Sequence, residues 1–233
     1  MKPVVMLPTF NEAGNIRGIL ADILAQDERL NVIVVDDDSP DGTGDIVNDL
    51  KKDEPRIHLI TRVGEKGRAS AGIAGFKKAI DDGFDVVIEM DADFSHDPAY
   101  IPVFLEHITG TDVVVGSRYA EGGDTEHKIF IQNNLSRLSN IYNKILLGLD
   151  VHDSSGGYKC YTRKALEAID LDGFISTGYS VGAELLYRMR KAGFSMKEVP
   201  IVFKPRASGE SKLNWNIILK YPIDVLKLRL LHR

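Results

Sequence analysis

Apolar segments of strand type alternate with helical segments along the first hundred residues, and this alternation constrains the fold more than any other feature. The strand-type runs occupy 4–7, 32–35, 57–60 and 86–88. The clearest helical segment, 16–24, has apolar residues spaced i, i+3, i+4, i+7 and i+8, as in an amphipathic helix. Strand–helix alternation favours right-handed βαβ units. We therefore expect an α/β fold with a mostly parallel sheet flanked by helices.

The second half of the chain continues this organisation. Strands are expected at 113–115 and 199–203, and helices at about 129–149 and 182–192. The helical segment 67–79 contains glycines and is expected to pack closely against its neighbours. Because no internal repeat, low-complexity tract or linker interrupts the sequence, we expect a single domain.

The charge distribution separates the body of the chain from its end. Residues 200–233 contain seven Lys or Arg and two Asp or Glu, a net +5, so the preceding 199 residues carry −10 of the total of −5. An acidic body argues against a nucleic-acid partner. We expect a domain at 1–214 and a basic, apolar tail at 215–233. Such a tail suits an anionic membrane surface, and docking on the protein's own sheet is the alternative.

The cysteine content and hydropathy indicate the compartment. Cys160 is the only cysteine, which excludes an intrachain disulfide and favours a reducing environment, with Cys160 as a small core residue. Met1 leads directly into a strand without a signal peptide, and no apolar run approaches the roughly 18 residues of a membrane span. We expect a cytoplasmic protein bound peripherally to the cytoplasmic face of a membrane, with membrane-embedded partner subunits as a further expectation.

Polar and acidic residues follow three of the predicted strands. These strand ends carry Pro8-Thr9-Phe10-Asn11-Glu12, Asp36-Asp37-Asp38 and Asp91-Ala92-Asp93. Because parallel strands end at the same edge of a sheet, where ligands bind, the three clusters should converge. Two carboxylates in Asp-x-Asp spacing can bind one hard divalent cation such as Mg²⁺ or Mn²⁺. The alternative is a solvated turn in which Asp97-Pro98 starts the next helix.

With these segments assembled, the chain resembles the inverting family 2 glycosyltransferases, and within them the dolichyl-phosphate (polyprenyl-phosphate) mannose synthases. Five motifs carry the resemblance in family order, from about residue 3 to 214: Leu7-Pro8-Thr9-Phe10-Asn11-Glu12, Val34-Val35-Asp36-Asp37-Asp38-Ser39-Pro40-Asp41-Gly42-Thr43, Asp91-Ala92-Asp93-Phe94-Ser95-His96, Gly116-Ser117-Arg118-Tyr119 and Gly209-Glu210-Ser211-Lys212-Leu213. The resemblance implies a GT-A fold, a nucleotide-sugar donor, a divalent cation (Mg²⁺ or Mn²⁺) and a polyprenyl-phosphate acceptor.

The resemblance also assigns roles to individual residues. The nucleoside would be held by Pro8, Phe10, Glu12, Val35 and Asp37. The metal and the donor diphosphate would be bound by Asp91, Ala92 and Asp93, with Ser95 at the position of a third metal ligand. Phosphate charge would be met by Arg118, Arg206 and Lys212, which together with Asp93 would act in the reaction.

The sequence departs from the family pattern at three of these positions. Phe10 replaces a tyrosine and so loses a hydroxyl, and Ser95 stands where some members have a glutamine metal ligand. Asn133 occupies the place of a second phosphate-binding arginine three residues before Ser136, a role that is then either vacant or shifted to Arg137.

The implied reaction transfers mannose from GDP-mannose to polyprenyl phosphate with inversion, giving the β-linked product. A bound cation would neutralise the leaving diphosphate, assisted by Lys or Arg side chains. The acceptor phosphate is already an anion near pH 7, with a second pKa of about 6, so it needs no general base. Glu184, where hydroxyl-using relatives keep a base, is therefore expected to orient the sugar or a loop.

Several residues have a structural interpretation beside the functional one. Asp153 is expected either to contact the sugar or acceptor or to fix the turn before Gly156-Gly157, and His96 to be a turn residue. The polar loop 204–212 is expected to be a lid that closes over the donor. The tail is expected to bind the membrane from Ile217 onwards.

Three alternative functions stay open at this point. The nearest is a transferase that uses a UDP-sugar to pass glucose or an N-acetylhexosamine to the same lipid phosphate. A nucleotidyltransferase would need a glycine-rich basic loop after the first strand, where this chain has Pro8-Thr9-Phe10-Asn11-Glu12. A non-catalytic membrane adaptor would leave the acidic strand ends unexplained.

Overall fold

The computed structural model describes residues 1–64, 66–126, 130–176, 178–205 and 215–231, with the side chains of 130–133, 179 and 215–219 left out of the description.

Nine strands lie in these ranges: β1 Pro3–Thr9, β2 Asn31–Asp36, β3 Ile57–Thr61, β4 Val86–Glu89, β5 Val113–Ser117, β6 Asp124–Thr125, β7 Lys159–Thr162, β8 Met196–Pro200 and β9 Val202–Phe203. Seven form the central sheet in the order β3-β2-β1-β4-β7-β5-β8, while β6 and β9 pair separately. Neighbouring strands of the central sheet are parallel except where β7 meets β4 and β5. The prediction of a mostly parallel sheet is confirmed.

Eight α-helices connect and cover these strands in the described part of the chain: α1 Ile16–Leu24, α2 Thr43–Asp53, α3 Arg68–Asp81, α4 Ile101–His107, α5 Phe130–Leu147, α6 Arg163–Glu167, α7 Val181–Lys191 and α8 Trp215–Leu231. None of the helices in the described ranges has the length and apolar character needed to cross a bilayer.

Strand β7 is the main element that sequence patterning does not predict. It is short, it starts with a charged residue, Lys159, and it lies between β4 and β5 with opposite direction. Lys159, Cys160 and Tyr161 are all buried, and Cys160 is a core residue as expected. The sequence of β7, Lys-Cys-Tyr-Thr, lacks the run of β-branched apolar residues that predicted the equally short β4. The position of β7 depends on its antiparallel pairing with β4 on one side and β5 on the other.

Helix α1 begins later than the sequence indicates. We expected it to start at Asn11 and Glu12, but Asn11 has a φ of 63°, a left-handed conformation that a helix cannot include. The Glu12 carbonyl instead accepts hydrogen bonds from the N–H groups of Asn15 (2.9 Å) and Ile16 (2.8 Å), which makes a turn before the helix. Residues 10–12 therefore stay in the loop above β1.

The core has two parts, one on each face of the sheet. Helices α1, α2 and α4 cover one face, and α3, α5, α6 and α7 cover the other. Helix α3 lies so close that a Cβ at Gly75 would come within 2.4 Å of the Met6 side chain. The close packing predicted for the glycine-containing helix is confirmed, and it positions the start of α3 against the end of β4.

Candidate active site

The polar ends of β1, β2 and β4 meet at one edge of the sheet. The parallel register pairs Thr9 with Asp36, and the Thr9 hydroxyl donates to Asp36 Oδ1 at 2.8 Å. Asp36 also accepts hydrogen bonds from the N–H (2.9 Å) and the hydroxyl (2.6 Å) of Ser39. Asp36 therefore holds the two loops together, and the predicted convergence of the strand ends is confirmed.

The loop after β1 is fastened to the loop that precedes α2. The N–H of Glu12 donates to the Thr43 hydroxyl at 2.9 Å, and the N–H of Ala13 donates to Asp41 Oδ2 at 2.9 Å. Pro8, Phe10 and Glu12 are half-buried there. The Lys66 ammonium lies 4.8 Å from the centre of the Phe10 ring, a cation–π distance. The loop thus presents an aromatic face and a carboxylate beside the edge of the sheet.

Asp37 faces Arg62 and the loop before α3. Its Oδ1 lies 3.3 Å from Arg62 Nε, and its Oδ2 accepts the Gly67 N–H at 2.7 Å. Asp37 Oδ1 is nevertheless buried without a hydrogen bond. Val35, which was assigned to the nucleoside site, has its side chain in the core below Gly75, so that only its main chain can serve a ligand.

The Asp-x-Asp segment forms a tight turn directly after β4. Asp93 is buried and its Oδ1 accepts the N–H (3.1 Å) and hydroxyl (2.5 Å) of Ser95. The Asp91 N–H donates to Nδ1 of His96 at 2.9 Å, which fixes that ring nitrogen as an acceptor. Burial lowers the pKa of His96, although the charges of Asp91 and Asp93 oppose this. His96 is a turn residue, as predicted.

Arg68, at the start of α3, contacts two carboxylates of this turn. Its Nε and Nη2 donate to Asp91 Oδ1 at 3.0 and 2.7 Å, and its Nη1 donates to Glu89 Oε1 at 3.2 Å. Glu89 also accepts a hydrogen bond from the hydroxyl of Tyr161 at 3.3 Å. The negative charge at the end of β4 is therefore partly balanced by a guanidinium from a neighbouring element.

The carboxylates of Asp91 and Asp93 fit a hard divalent cation, because both belong to one short turn and carry the oxygen donors that Mg²⁺ and Mn²⁺ prefer. Within the part of the chain that the structure describes, no group of three His, Cys, Asp or Glu side chains is placed to hold a metal. This arrangement suits an ion that takes its other ligands from substrate phosphate and water. The Ser95 hydroxyl donates to Asp93, and its role as third ligand stays a prediction.

Arg118 and Asp153 form a buried ion pair on the other side of β4. Asp153 Oδ2 accepts from the Arg118 N–H (3.0 Å) and Nε (2.7 Å), and Oδ1 accepts from Nη2 at 2.8 Å. Burial favours the neutral acid, but the hydrogen bonds and charge of Arg118 outweigh it and lower the pKa of Asp153. Asp153 also accepts the Gly156 N–H at 3.1 Å, which favours its role in the turn.

Further groups surround the Arg118 guanidinium. Its Nη2 donates to the hydroxyls of Ser136 (2.9 Å) and Ser155 (3.2 Å). The guanidinium carbons of Arg118 and Arg137 lie 5.1 and 5.5 Å from the centre of the Tyr119 ring. Two arginines and two hydroxyls therefore lie together beside the first half of α5, and the expected contact of Arg118 with phosphate stays a prediction.

For three residues discussed as phosphate-site positions, the structure gives no side-chain contacts. Arg206 and Lys212 lie outside the described residues, as does the side chain of Asn133. Their expected contacts with phosphate stay predictions.

Comparison with known proteins decides the family. Residues 4–170 match the family model described as "Glycosyl transferase family 2". The chain belongs to that family. It is therefore a glycosyltransferase, and the nucleotidyltransferase and the non-catalytic adaptor are excluded as alternatives.

The curated relatives of this glycosyltransferase cover most of its length. An undecaprenyl-phosphate mannosyltransferase of Micrococcus luteus is 36% identical over 227 residues, which are 97% of this chain and 93% of the relative. A polyprenol monophosphomannose synthase of Mycolicibacterium smegmatis is 38% identical, covering 91% of this chain and 81% of the relative. A dolichol-phosphate mannosyltransferase of Pyrococcus furiosus is 35% identical, and the alignment covers 98% of this chain but 64% of that protein. The predicted resemblance is confirmed.

Solved structures of other glycosyltransferases share the fold. Glucosyl-3-phosphoglycerate synthase from Mycobacterium tuberculosis, solved with Mn²⁺, UDP and glucosyl-3-phosphoglycerate, superposes with a TM-score of 0.71 at 16% identity, covering 97% of this chain and 79% of that chain. A mannosyltransferase from Pyrobaculum calidifontis, in complex with GDP-Man and Mn²⁺, gives a TM-score of 0.57 at 16% identity, covering 99% of this chain and 73% of that chain. The predicted GT-A fold is confirmed.

In this glycosyltransferase Glu184 has a supporting role. It is fully buried and accepts the N–H of Ser176 at 2.7 Å and Nε of Arg188 at 2.8 Å. The N–H of Ile175 also donates to both of its carboxylate oxygens. Glu184 thus orients the loop before α7, which is one of the two roles expected from the sequence.

Sequence reasoning missed two basic residues of the site, Arg62 and Arg68. Both follow β3, whose end lies at the same edge as the acidic strand ends, and this position was the signal that could have revealed them. Lys204 donates through Nζ to Asp97 at 2.6 Å and through its N–H to the Ser95 carbonyl at 3.1 Å. The first residue of the predicted lid is therefore fastened to the Asp-x-Asp turn.

Proposed function

We propose that this glycosyltransferase transfers mannose from GDP-mannose to a polyprenyl (dolichyl) phosphate with inversion, forming polyprenyl phosphate β-mannose. The observation that carries the proposal is the set of relatives, named for mannose transfer to polyprenyl phosphates, that match 91% or more of this chain at 35–38% identity. The alternative, a transferase that uses a UDP-sugar, has relatives with the same fold at only 16% identity.

The donor nucleoside is bound between the β1 loop and Asp37. The ring of Phe10 offers a face on which a base stacks, and the carboxylate of Asp37 would accept an N–H of a guanine base. Glu12 and Pro8 line the same loop, and Val35 contributes its main chain. Asp37 is held in place by Arg62 and by the Gly67 N–H.

The donor diphosphate lies at the Asp-x-Asp turn. Asp91 and Asp93 would hold Mg²⁺ or Mn²⁺ with Ser95 beside them, and the bound cation would supply Lewis-acid neutralisation of the leaving diphosphate. Mn²⁺ accompanies the nucleotide in both solved glycosyltransferases described above, which supports a divalent cofactor here. Ser95 holds the Asp93 carboxylate and His96 holds the main chain of Asp91 through their hydrogen bonds.

The acceptor phosphate is bound by Arg118, Ser136, Ser155 and Arg137. Arg118 is kept rigid by Asp153, so its guanidinium is oriented before the anion arrives. Arg137 takes the role of the family's phosphate-binding arginine, whose position is occupied here by Asn133. The acceptor reacts as an anion, which agrees with Glu184 being buried and committed to a loop.

The lipid acceptor requires a membrane surface, and two adjacent helices offer apolar side chains for it. On α5 and α8 the exposed large hydrophobic residues are Leu138, Ile141, Ile145, Ile223, Leu226, Leu230 and Leu231. The helices pack together, and the Tyr142 hydroxyl donates to the Pro222 carbonyl at 3.0 Å. Lys220, Lys227 and Arg229 are exposed along α8 and suit anionic headgroups. The proposed location is the cytoplasmic face of a membrane, to which the enzyme would bind peripherally.

The proposed reaction is tested by supplying the purified protein with polyprenyl phosphate, Mn²⁺ and either GDP-mannose or UDP-sugars. Release of GDP, together with a β-configured phosphate–mannose bond by NMR, is the expected result. Release of UDP from UDP-glucose or a UDP-N-acetylhexosamine, with none from GDP-mannose, would overturn the proposed donor and favour the alternative.

A further inference from the structure

Arg68 occupies a position that neither the proposed chemistry nor the motifs explain. Two of its nitrogens, Nε and Nη2, donate to Asp91 Oδ1 at 3.0 and 2.7 Å. Asp91 is one of the two carboxylates assigned to the metal. The side chain of Arg68 is about one-third exposed (34%), so it faces the site and is not part of the core. A positive group therefore lies within hydrogen-bonding distance of a proposed metal ligand.

A guanidinium at this distance opposes the binding of a free divalent cation. Both positive charges would share Asp91, and like charges a few ångströms apart repel strongly where solvent is partly excluded. The repulsion is relieved if the guanidinium leaves Asp91 or if an anion binds beside it. The diphosphate of a nucleotide does both, because its oxygens accept hydrogen bonds from arginine.

The surroundings of Arg68 allow it to leave Asp91 without losing all of its partners. Its Nη1 is already hydrogen-bonded to Glu89 at 3.2 Å. The pocket lined by Arg68, Glu89, Gly72 and Gly182 beside the guanidinium is only large enough for about one water molecule, so Arg68 would leave Asp91 towards solvent, to which its side chain is already one-third exposed. Gly157 lets Arg68 take its present position beside Asp91, since a Cβ there would lie 2.6 Å from Arg68 Nη2.

The main chain of Asp91 and the side chain of Asp93 are held by groups other than Arg68. The N–H of Asp91 is held by His96, and Asp93 is held by Ser95. Removing the charge of Arg68 should therefore change the electrostatics of the site and leave the turn in place.

We propose that Arg68 is a counter-cation that makes metal binding depend on the nucleotide. In the absence of donor the guanidinium neutralises Asp91 and weakens binding of the divalent cation. When a nucleoside diphosphate binds, Arg68 transfers to its phosphate oxygens and the cation gains full access to Asp91. This inference rests on the proposed metal and donor site, and it adds a mutual dependence between the two ligands.

The dependence is measured as the affinity for Mn²⁺, followed by the electron paramagnetic resonance of free Mn²⁺, with and without GDP. The wild-type protein should bind Mn²⁺ weakly alone and more tightly with GDP. In Arg68→Gln, Mn²⁺ should bind the nucleotide-free protein roughly 10- to 100-fold more tightly, the range of one charge-assisted hydrogen bond. The enhancement by GDP should fall by a similar factor, and because linkage is reciprocal, so should the enhancement of GDP binding by Mn²⁺.

Two variants control for other effects. Arg68→Lys keeps the positive charge and should retain most of the dependence on GDP. Arg163→Gln removes the same charge at the opposite end of the sheet, where Arg163 pairs with Glu167, and should behave as the wild type. Thermal unfolding of each variant shows whether the fold is kept.

The outcomes separate this inference from the proposed function. If the wild type binds no Mn²⁺ with or without GDP, or if Asp93→Ala binds Mn²⁺ equally well, the metal site itself is wrong. If the wild type binds Mn²⁺ but Arg68→Gln has the same affinity and the same response to GDP, the role of Arg68 is wrong. Weaker binding of Mn²⁺ by nucleotide-free Arg68→Gln would also overturn it, because Arg68 would then position Asp91 for the cation.

Discussion

At the scale of single residues, the site combines carboxylates in two different roles. Asp36 and Asp153 are fully occupied by hydrogen bonds from the protein and organise loops. Asp91 and Asp93 lie in the turn after β4, where their proposed partner is a cation. The same residue type thus organises loops at two positions and is proposed to bind a cation at two others.

We predict that Asp93→Ala abolishes transfer that depends on a divalent cation. The substitution removes one of two proposed metal ligands and leaves the Ser95 N–H and hydroxyl without their acceptor, a local change. Mannose transfer is measured over a series of Mn²⁺ concentrations, and circular dichroism serves as the control for folding. Undiminished turnover in a folded variant would contradict the assignment.

We predict that Asp153→Asn destabilises the protein, because Arg118 would remain buried without its ion pair. Loss of one partner of a buried pair costs about 3–5 kcal/mol in the free energy of unfolding, measured by denaturant titration. Asp150→Asn is the matched control, since Asp150 is 96% exposed and its contact with Lys144 should contribute nothing measurable.

The pH dependence of stability gives an independent check on this pair. The pKa of Asp153 is lowered in the folded state, so its contribution is fully present above the unfolded pKa of about 3.9 and is lost as pH falls through the lower folded value. The difference in stability between the wild type and Asp153→Asn should therefore shrink below about pH 4. A difference that stays constant down to pH 2 would contradict the ionised pair.

At the scale of elements, the structure confirms that α8 docks on the protein, and membrane binding by the tail stays a prediction. Asp224, Val225 and Leu228 are buried against the body, so the helix docks on its own protein. Ile223, Leu226 and Leu230 project from the opposite side and remain exposed. One face thus attaches the helix and the other is available to a membrane.

We predict that replacing Leu226 and Leu230 by Ser reduces binding to vesicles that contain anionic lipid. The exposed side chains would no longer enter the headgroup region, while Val225 and Leu228 would still hold the helix. Co-sedimentation at low and physiological salt measures the effect. Val63→Ser, at an exposed site on the loop after β3, is the control, and equal binding by all three proteins would remove α8 from the membrane surface.

We predict that Arg206→Ala and Lys212→Ala lower kcat more than they weaken binding of GDP. Lys204, two residues before Arg206, is hydrogen-bonded to Asp97 and Ser95. The loop that follows therefore starts beside the proposed metal site. Loss of a charge-assisted contact that tightens in the transition state should cost roughly 10- to 100-fold in rate. Steady-state kinetics and GDP titrations separate the two effects. Full kcat in both variants would contradict the lid.

At the scale of the whole molecule, the two proposed substrates meet across β4. Strands β1 and β2 carry the nucleoside side, while β5 and the turn at 153–157 carry the side assigned to the acceptor. The antiparallel β7 lies between β4 and β5 and closes the sheet at this point. The proposed donor and acceptor sites are thus built on neighbouring parts of one rigid sheet.

The sequence alone was sufficient for the features that depend on local pattern. Short β-branched runs and helical spacing predicted the parallel part of the sheet, and polar residues at strand ends predicted the edge where the site lies. Strand periodicity and the common direction of parallel strands are properties of a few adjacent residues, which is why these predictions succeeded. The Asp-x-Asp turn belongs to the same class.

Only the tertiary structure decided which charges meet. Arg118 and Asp153 are 35 residues apart, and Arg68 and Asp91 are 23 apart, so no local pattern links them. The insertion of β7 and the division of α8 into a buried and an exposed face also depend on neighbouring elements. Ion pairing requires proximity in space, and in this fold that proximity follows from the order of the strands and the docking of the helices on the sheet.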